Sequence, residues 1–349
     1  MIGYLIKKLL YGLAVIAGVV FLVFTLFTVL PDPSQLTRGQ NSDSTTNANL
    51  RAELGLDESA PARFIMYLND LSPVSIYHQS KNLESISGYT LFTTQQRVVL
   101  LKWPYLRRSY QNQKPVTEIL SEAFTGTAVL ALSAMLLAVL VGIPAGVFCA
   151  QNKNGFSDQL ILFMANLGVS MPSFLVAILF AWVFGFLLHS ATGLSMTGSL
   201  FDYHPFDGRV MQLKNLILPA LSLGIRPLSI IAQLTRSSML ETLSLDYIRT
   251  AKAKGLSDRQ VLIKHALRNA LNPVVTAVSG WFASLLAGAF FIEYIFNWKG
   301  LGRITVEALE KSDFPVLMGA VLFISVLFVI INVLVDLLYA LLDPRVRIN

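Results

Sequence analysis

The chain has 349 residues, of which 54% are hydrophobic and only 14% are charged, whereas about a quarter of the residues in a soluble domain are charged. This deficit argues against a soluble domain and indicates a membrane protein, because a charged group is costly in hydrocarbon. The net charge of +6 fits Lys and Arg in cytoplasmic loops near anionic lipid and does not indicate nucleic-acid binding. The single cysteine, Cys149, excludes an internal disulfide, and the four scattered histidines show no metal-ligand spacing.

Six apolar stretches have about the length that crosses a bilayer, for which roughly 20 residues suffice. They are residues 9–30, 123–152, 159–188, 215–235, 273–292 and 314–335. Pro144 and Pro172 are expected to be kink points, because proline removes a backbone hydrogen bond. The fourth stretch is interrupted by Arg226-Pro227, and its prolines, Pro219 and Pro227, would free backbone carbonyls toward a cavity. The sequence therefore predicts an all-α integral membrane protein with six transmembrane helices.

The distribution of Lys and Arg predicts how these helices are oriented. Twelve Lys or Arg residues occur in one set of flanking segments, 1–8, 151–158, 236–268 and 336–349, and five in the opposite short loops, 189–214 and 293–313. Both termini and the segment 236–268 are therefore expected in the cytoplasm, and residues 31–122 outside.

The chain is expected to have three parts. Residues 1–30 form the first transmembrane helix, 31–122 an external (periplasmic) segment with an approach helix, and 123–349 a five-helix core. In the external segment, the polar stretch 37–48 is expected to be mobile. Apolar residues there have helical spacing at Phe64, Tyr67, Leu68 and Leu71.

A basic, amphipathic segment separates the fourth and fifth apolar stretches. Gly255 breaks its first helix, since glycine adopts a left-handed conformation at low steric cost. Ser257 and Gln260 then have the spacing of a capping box at the start of a second helix. Asn272-Pro273 is expected to end that helix, because the residue before a proline avoids helical angles. The pattern fits either an interfacial helix on anionic lipid or a docking element for a cytosolic partner.

The stretch LTRSSMLETLSLDYIRTAKAKGLSDRQVLIKHALRNALNPVVT (234–276) resembles the signature loop of binding-protein-dependent ABC importer permeases, in particular the dipeptide, oligopeptide and nickel branch. The resemblance implies that cytoplasmic coupling helices, at about residues 244–270, insert into a groove on an ATP-hydrolysing subunit. The usual Glu-Ala-Ala opening is replaced by Arg249-Thr250-Ala251. The residues that the resemblance assigns to this docking are Arg249, Ala251, Lys252, Lys254, Gly255, Leu256, Val261, His265 and Asn269.

Other stretches extend the resemblance over nearly the whole chain. They are LGLDESAPARFIMYL (54–68), KPVTEIL (114–120), GAFFIEYIFNWKGLGRITVEALEKSDFPVL (288–317) and LVDLLYALLDPRVR (334–347). The sequence departs from the compact form of the family at about residues 72–102, which look inserted, and at YLRRSYQNQ (105–113), where a glycine-containing stretch is usual. The resemblance implies the type I ABC importer permease fold, with an enlarged external segment after the first helix.

The resemblance also implies the partners of this chain. A second, homologous permease, two ABC ATPase subunits and an external solute-binding protein would assemble with it in the cytoplasmic (inner) membrane. The chain itself would bind no cofactor, since the partner ATPases would use the ATP and Mg²⁺ that drive alternating access across the lipid bilayer. The expected solutes are di- and oligopeptides, and nickel or another small solute is the alternative for the same machinery.

The sequence contains no sign of an enzyme active site. No Walker-type glycine-rich loop and no Ser/His/Asp arrangement occur, so no residue is assigned to catalysis or to a metal. Near a predicted external loop, Glu293, Glu307, Glu310 and Asp313 are interpreted as a solvated face. Two other classes stay open, a non-transporting membrane interaction protein and an ion-coupled carrier, although the predicted spans lack the acidic residues that such carriers usually need.

Two features within the spans are candidates for a translocation path. Arg226 lies near the middle of the fourth span, where a cation costs about 3 kcal/mol and usually faces a cavity or a partner. It would meet a substrate carboxylate, or else make a structural contact with a neighbouring subunit. The irregular patch Ser170, Met171, Pro172 and Ser173 is the second candidate, although small residues more often serve helix packing.

The predicted orientation can be tested with cysteines at Ser44 and Ser257 in a Cys149→Ser background. We expect an impermeant thiol reagent, added outside intact cells, to label position 44 and to leave position 257 unlabelled until the membrane is permeabilised. The labelled fraction at each position is measured before and after permeabilisation. Labelling of both positions in intact cells would contradict the orientation.

Overall fold

A computed structural model of the protein describes residues 2–29, 58–78, 88–94, 96–204 and 208–342. The predicted polar stretch 37–48 and the end of the C-terminal motif, 343–347, lie outside these residues. The chain divides into two compact units. One comprises Met1–Leu10, Ala123–Arg303 and Val326–Asn349, and the other Tyr11–Glu122 and Ile304–Ser325.

Helices account for most of the described chain, because apolar residues at membrane length favour helices in which every backbone group is satisfied internally. The helices are α1 (Ile2–Val29), α2 (Ala60–Leu71), α3 (Val116–Gln151), α4 (Phe156–Ser170), α5 (Ser173–Phe180), α6 (His189–Thr192), α7 (Lys214–Leu243), α8 (Asp246–Ala253), α9 (Asp258–Gln260), α10 (Arg268–Gly288), α11 (Phe290–Ile295), α12 (Leu301–Glu310) and α13 (Phe314–Leu342). Two π-helical segments, Ala181–Leu187 and Val261–Leu267, follow α5 and α9 without a break.

Among the described helices, α1, α3, α7 and α13 contain segments long and apolar enough to cross a membrane. The third predicted span is not one straight helix, because α4 and the helix that begins with α5 are bent by 108° where they meet. Pro172 precedes α5 with an extended backbone, ψ 133°, so it is the kink point that the sequence predicts. Pro144, Pro219 and Pro227 instead lie inside the continuous helices α3 and α7, so none of them ends a helix, and the kink at Pro144 and the freed carbonyls of the fourth span stay predictions.

The fifth predicted span, 273–292, differs from the structure at its start. Helix α10 contains Pro273, so the prediction that Asn272-Pro273 ends the preceding helix is wrong. Proline removes one backbone hydrogen bond, but Ala270 and Val274 on either side of it are buried, and their packing outweighs that loss. Helix α10 is not among the described helices that pass as membrane spans, so the count of six spans stays a prediction.

The second unit contains a three-stranded antiparallel sheet that the sequence analysis missed. Its strands are β1 (Val74–His78), β2 (Gly88–Thr93) and β3 (Arg97–Lys102), in the order β1-β3-β2. Exposed and buried residues alternate along β1, as in a strand with one covered face. Tyr77, Val98 and Leu100 form that covered face with Tyr105 packed against them. A separate hairpin, β4 (Phe201–His204) and β5 (Gly208–Met211), belongs to the first unit.

Asp70 joins α2 to the segments around the sheet. Its carboxylate accepts two hydrogen bonds from the Arg107 guanidinium, at 3.1 and 3.0 Å, and one from the Tyr77 hydroxyl at 3.0 Å. Burial and the neighbouring Asp70 carboxylate raise the pKa of Tyr77 above its usual value. Because both carboxylate oxygens have donors, the buried charge is compensated and fixes the helix beside the sheet.

Asp313 and Glu293 are buried, so the interpretation of the four acidic residues as a solvated face is wrong for these two. Asp313, in the second unit, accepts hydrogen bonds from Ser109 Oγ at 2.5 Å and from the Tyr110 backbone N–H at 3.0 Å. These donors lie about 200 residues away in the sequence, so a local pattern cannot reveal them. The carboxylate is buried because those donors replace water.

Glu293, in the first unit, anchors the start of α12 to α3. Its carboxylate accepts hydrogen bonds from Thr127 Oγ1 at 2.7 Å, from Gly302 N at 2.7 Å and from Arg303 N at 3.1 Å. A β-carbon at Gly300 would contact this carboxylate too closely, so only glycine fits there. Burial raises the pKa of Glu293 from 4.5 to about 7, although the three donors lower it.

This raised pKa predicts a pH dependence of stability. Folding favours the protonated form of Glu293, so the stabilisation is complete below about pH 4.5 and is lost as the pH rises through about 7. We expect the unfolding temperature of the purified protein to fall over this range, and the isosteric variant Glu293→Gln to lack that part of the fall. Thermal unfolding in detergent at several pH values measures both proteins, and equal slopes would contradict the titration of Glu293.

Candidate functional site

The basic segment folds as a helical hairpin of residues 246–270, called the hairpin below. After α8 ends at Ala253, Gly255 takes a left-handed φ of +81°. This angle strains any side chain with a β-carbon, although the space around Gly255 is open. Ser257 Oγ accepts a hydrogen bond from Gln260 N at 3.4 Å, and Ser257 N donates to Gln260 Oε1 at 3.2 Å. The glycine turn and the capping box that the sequence predicts are both confirmed.

The hairpin has an apolar core that joins it to the long helices. Ile248 and Val261, each 1% exposed, pack in one cluster with Met239 near the end of α7. Ala150 at the end of α3 and Ala270 in α10 belong to the same cluster. Because these buried side chains pack against one another, the hairpin is held against the ends of α3 and α7.

Polar contacts fix the two sides of the hairpin to each other. Tyr247 Oη accepts a hydrogen bond from Asn269 Nδ2 at 2.7 Å and donates one to the His265 carbonyl at 3.3 Å. Lys252 forms an ion pair across the turn with Asp258 at 3.5 Å. Both partners of this ion pair are exposed, so it contributes little, and the apolar core dominates the stability of the hairpin.

The outer surface of the hairpin is cationic with an apolar tip. Leu256, next to the turn, is exposed, as is Ile263 on the second side. The exposed cations are Arg249, Lys252, Lys254, Arg259, Lys264 and Arg268. Such a surface can bind an acidic protein groove or anionic lipid, and the composition alone does not choose between them.

The residues predicted to dock a partner divide into exposed and buried ones. Arg249, Lys252, Lys254, Gly255, Leu256 and Asn269 are exposed, His265 is half-buried, and Ala251 and Val261 are buried. Ala251 and Val261 lie in the apolar core of the hairpin. Ala251 and Val261 therefore stabilise the hairpin from inside, and the six exposed residues form its surface.

Helix α7 contains two arginines with opposite surroundings. Arg236 donates to the Asp158 carboxylate, at the start of α4, through Nε and Nη2, both at 2.6 Å. Arg226 is exposed and makes no hydrogen bond or ion pair with the other residues that the structure describes. The sequence pattern indicated Arg226 but not the buried pair, because partners far apart in sequence leave no local signal.

The predicted patch Ser170 to Ser173 lies at the bend between α4 and α5. Ser170 and Pro172 are exposed, and Met171 and Ser173 are half-buried. One turn earlier, Gly168 lets α4 approach α7 so closely that a β-carbon there would collide with a serine of α7. Within the described chain, no hydrogen bond joins this patch to Arg226, and no cluster of His, Cys, Asp or Glu could hold a metal ion.

A solved transporter contains a similar arrangement of helices. A chain of the inward-facing MetNI methionine ABC transporter superposes with a TM-score of 0.51, covering 65% of this chain and 97% of that chain. The two chains are 17% identical, so the match concerns the fold alone. Together with the long apolar helices, it defines the protein as a multi-pass, mainly α-helical membrane protein with the fold of that transporter chain.

Sequence relatives cover the chain from end to end. The dipeptide transport system permease protein DppB of Alkalihalophilus pseudofirmus is 34% identical over 363 residues, covering 99% of this chain and 100% of that protein. DppB of Bacillus subtilis is 34% identical over 350 residues, covering 100% of this chain and 99% of that protein. The glutathione transport system permease protein GsiC of Salmonella typhimurium is 33% identical over 348 residues, covering 99% of each chain.

Two family descriptions match adjoining parts of the chain. Residues 142–348 match the binding-protein-dependent transport system inner membrane component, and residues 1–131 match the N-terminal region of such a membrane component. The chain therefore belongs to the family of inner membrane components of binding-protein-dependent transport systems.

The two arginines of α7 are expected to respond differently to removal. Arg236→Ala leaves the Asp158 carboxylate buried without a counter-ion, which costs about 3–5 kcal/mol in comparable pairs. Arg226→Ala removes an exposed, unpaired side chain, so stability should change by only about 0.5 kcal/mol. The unfolding temperature and the monodisperse fraction in detergent measure both effects. Equal losses in the two variants would contradict this assignment.

Proposed function

We propose that the chain is a permease subunit of an ATP-driven ABC importer that translocates di- or oligopeptides. The observation that carries the proposal is the end-to-end similarity, at 33–34% identity, to permeases named for dipeptide and glutathione transport. These solutes share peptide bonds and free carboxylates. The unpaired cation Arg226 at membrane depth has the charge that such carboxylates attract.

The hairpin is the proposed coupling helix, the element that docks onto an ATPase subunit. Its apolar core holds it against the ends of α3 and α7. A displacement of the hairpin by a bound partner therefore also displaces these membrane helices. A helix that only rests on lipid needs no such core. The ATPase subunits, and not this chain, bind and hydrolyse ATP with Mg²⁺ in this proposal.

The proposed assembly contains a second, homologous permease, two ATPase subunits and an external solute-binding protein. Both termini and the hairpin lie on the cytoplasmic side of the inner membrane, and residues 31–122 lie outside with the binding protein. Closure of the ATPase dimer on ATP draws the coupling helices together and reorients the membrane helices. Arg226 and the bend at residues 170–173 line the path, where exposed groups face a cavity or a partner chain.

The role of the hairpin is tested at Gly255. Valine at this position is strained on the order of 1–2 kcal/mol by the left-handed angle, and relief of the strain redirects the second side of the hairpin. We expect Gly255→Val to insert and to pair with the second permease but to lose the ATPase, or to retain it without solute-stimulated hydrolysis. Co-purification of the ATPase and its stimulated activity are the measurements.

Two matched variants separate the effect of backbone strain at Gly255 from the effect of the added side-chain volume. Gly255→Asn should retain coupling, because asparagine tolerates left-handed angles better than valine does. Gly280→Val adds the same side chain at a glycine of α10 that also has open space around it but lies in a regular helix, so it should behave as the unchanged protein. Normal ATPase retention and coupling in Gly255→Val would overturn the docking role. Loss of coupling only after removal of Lys252, Lys254 and Lys264 would favour a lipid-surface helix.

A further inference from the structure

An interhelical amide pair lies within the predicted third and fourth membrane spans, beside the α4–α7 contact. Gln233 Nε2 of α7 donates a hydrogen bond to Asn166 Oδ1 of α4 at 3.3 Å. Asn166 is ten residues from the start of α4, and Gln233 is ten residues from the end of α7. At 1.5 Å per residue, each side chain lies about 15 Å from that helix end, and both residues fall within the predicted membrane spans 159–188 and 215–235.

The pair uses only part of its hydrogen-bonding capacity. A carboxamide side chain has two N–H donors and an acceptor oxygen. Among the described residues, the single bond between Gln233 and Asn166 is the only one that either side chain makes. Within the described residues, the two N–H groups of Asn166 Nδ2 and the Oε1 atom of Gln233 therefore make no hydrogen bond.

These groups cannot face lipid without a penalty, because hydrocarbon offers them no hydrogen-bond partner. Asn166 is nevertheless exposed on the surface of the chain, and Gln233 is half-buried. Arg226 lies seven residues before Gln233, two helical turns along nearly the same face of α7, and it is exposed and unpaired within the described chain. The three side chains thus mark one polar face that a cavity or another protein chain must cover.

The half-buried Asn332 of α13 shows another arrangement of an amide in an apolar helix. Asn332 of α13 is also ten residues from the end of its helix. Its Nδ2 donates to the Phe328 carbonyl of its own helix at 2.8 Å. An amide folded back in this way has a partner of its own, whereas the Asn166–Gln233 pair holds its free donor and acceptor side by side.

We propose that Asn166 and Gln233 form a subsite for one peptide bond of the transported solute. Gln233 Oε1 accepts the solute's peptide N–H, and Asn166 Nδ2 donates to the carbonyl oxygen of the same bond. This recognition reads the backbone, which every peptide shares, and is indifferent to the side chains. The inference rests on the proposed function and deepens it, since Arg226 takes a carboxylate and the amide pair takes the bond next to it.

The subsite is tested by replacing one atom of the solute. Alanyl-alanine and its ester analogue alanyl-lactate have the same terminal charges, but the ester has an oxygen in place of the peptide N–H. Uptake of both labelled probes is measured in vesicles containing the complete transporter, for the unchanged protein and for Gln233→Leu, Asn166→Leu and the control Asn332→Leu. The external binding protein is the same in every sample, so a change in the amide-to-ester uptake ratio reports the permease.

Each variant has a distinct expected result. Gln233→Leu should lower alanyl-alanine uptake about threefold to tenfold, the usual worth of one hydrogen bond, and leave alanyl-lactate uptake unchanged. Asn166→Leu should lower uptake of both probes by similar factors, because both retain the carbonyl. Asn332→Leu should change neither.

The uptake measurements distinguish failure of the proposed subsite from failure of the proposed function. An amide-to-ester ratio in Gln233→Leu equal to that of the unchanged protein would overturn the subsite and leave the proposed function intact. Loss of the second permease on purification of either variant would also overturn it, since the pair would then be a subunit contact. Uptake of neither probe, nor of labelled tri-alanine, by the unchanged transporter would overturn the proposed function, and the subsite with it.

Discussion

The buried ion pair between Asp158 and Arg236 is the interaction on which the arrangement of the membrane helices depends. The Asp158 carboxylate can be buried because the guanidinium supplies two hydrogen bonds and the opposite charge, and the Asn154 backbone N–H donates a third hydrogen bond at 2.8 Å. The pair joins the first turn of α4 to α7 and so sets the register between the two helices. That register brings Gly168 against α7 and places Asn166 within reach of Gln233.

Helix α7 connects the two regions to which function is assigned. It runs without a break from Lys214 to Leu243 despite two internal prolines, and the hairpin follows directly. Pro227 is buried, so packing on both sides stabilises the helix where its hydrogen-bond ladder is interrupted. In the proposed mechanism, a displacement at the hairpin is passed along this continuous helix to Arg226 and Gln233. Regions about 15–25 Å apart along one helix can be coupled without any intervening loop.

What could be predicted from the sequence was local. The turn at Gly255 and the cap at Ser257 depend on residues within a few positions of each other, so the pattern alone specified both. Pro172 and Pro227 show the limit of this approach. Both were expected to disturb a helix, and Pro172 lies at the break between α4 and α5, whereas Pro227 is buried inside the continuous helix α7.

What could not be predicted depended on partners distant in sequence. Asp158 and Glu293 are buried because Arg236, Thr127 and backbone donors from other segments replace water around them. The three-stranded sheet was missed for a related reason, since β1 pairs with residues of β3 that are 19 to 27 positions away in the sequence. The amide pair at the proposed peptide subsite likewise spans two helices. Sequence inspection alone marked Arg226 because a lone cation in an apolar stretch is visible without knowledge of its neighbours.

The surroundings of Gly255 determine what kind of residue the hairpin turn selects. A φ of +81° is the mirror image of an ordinary backbone angle, and nothing lies within 4 Å of the place where a β-carbon would be. The turn therefore restricts the backbone angle of the residue at this position and does not restrict the size of its side chain. A D-alanine introduced by chemical ligation would match the angle and would also restrict the unfolded chain more than glycine does, so it would stiffen the turn without changing its direction. Among the amino acids that the ribosome incorporates, glycine adopts this angle with the least strain, because it has no β-carbon.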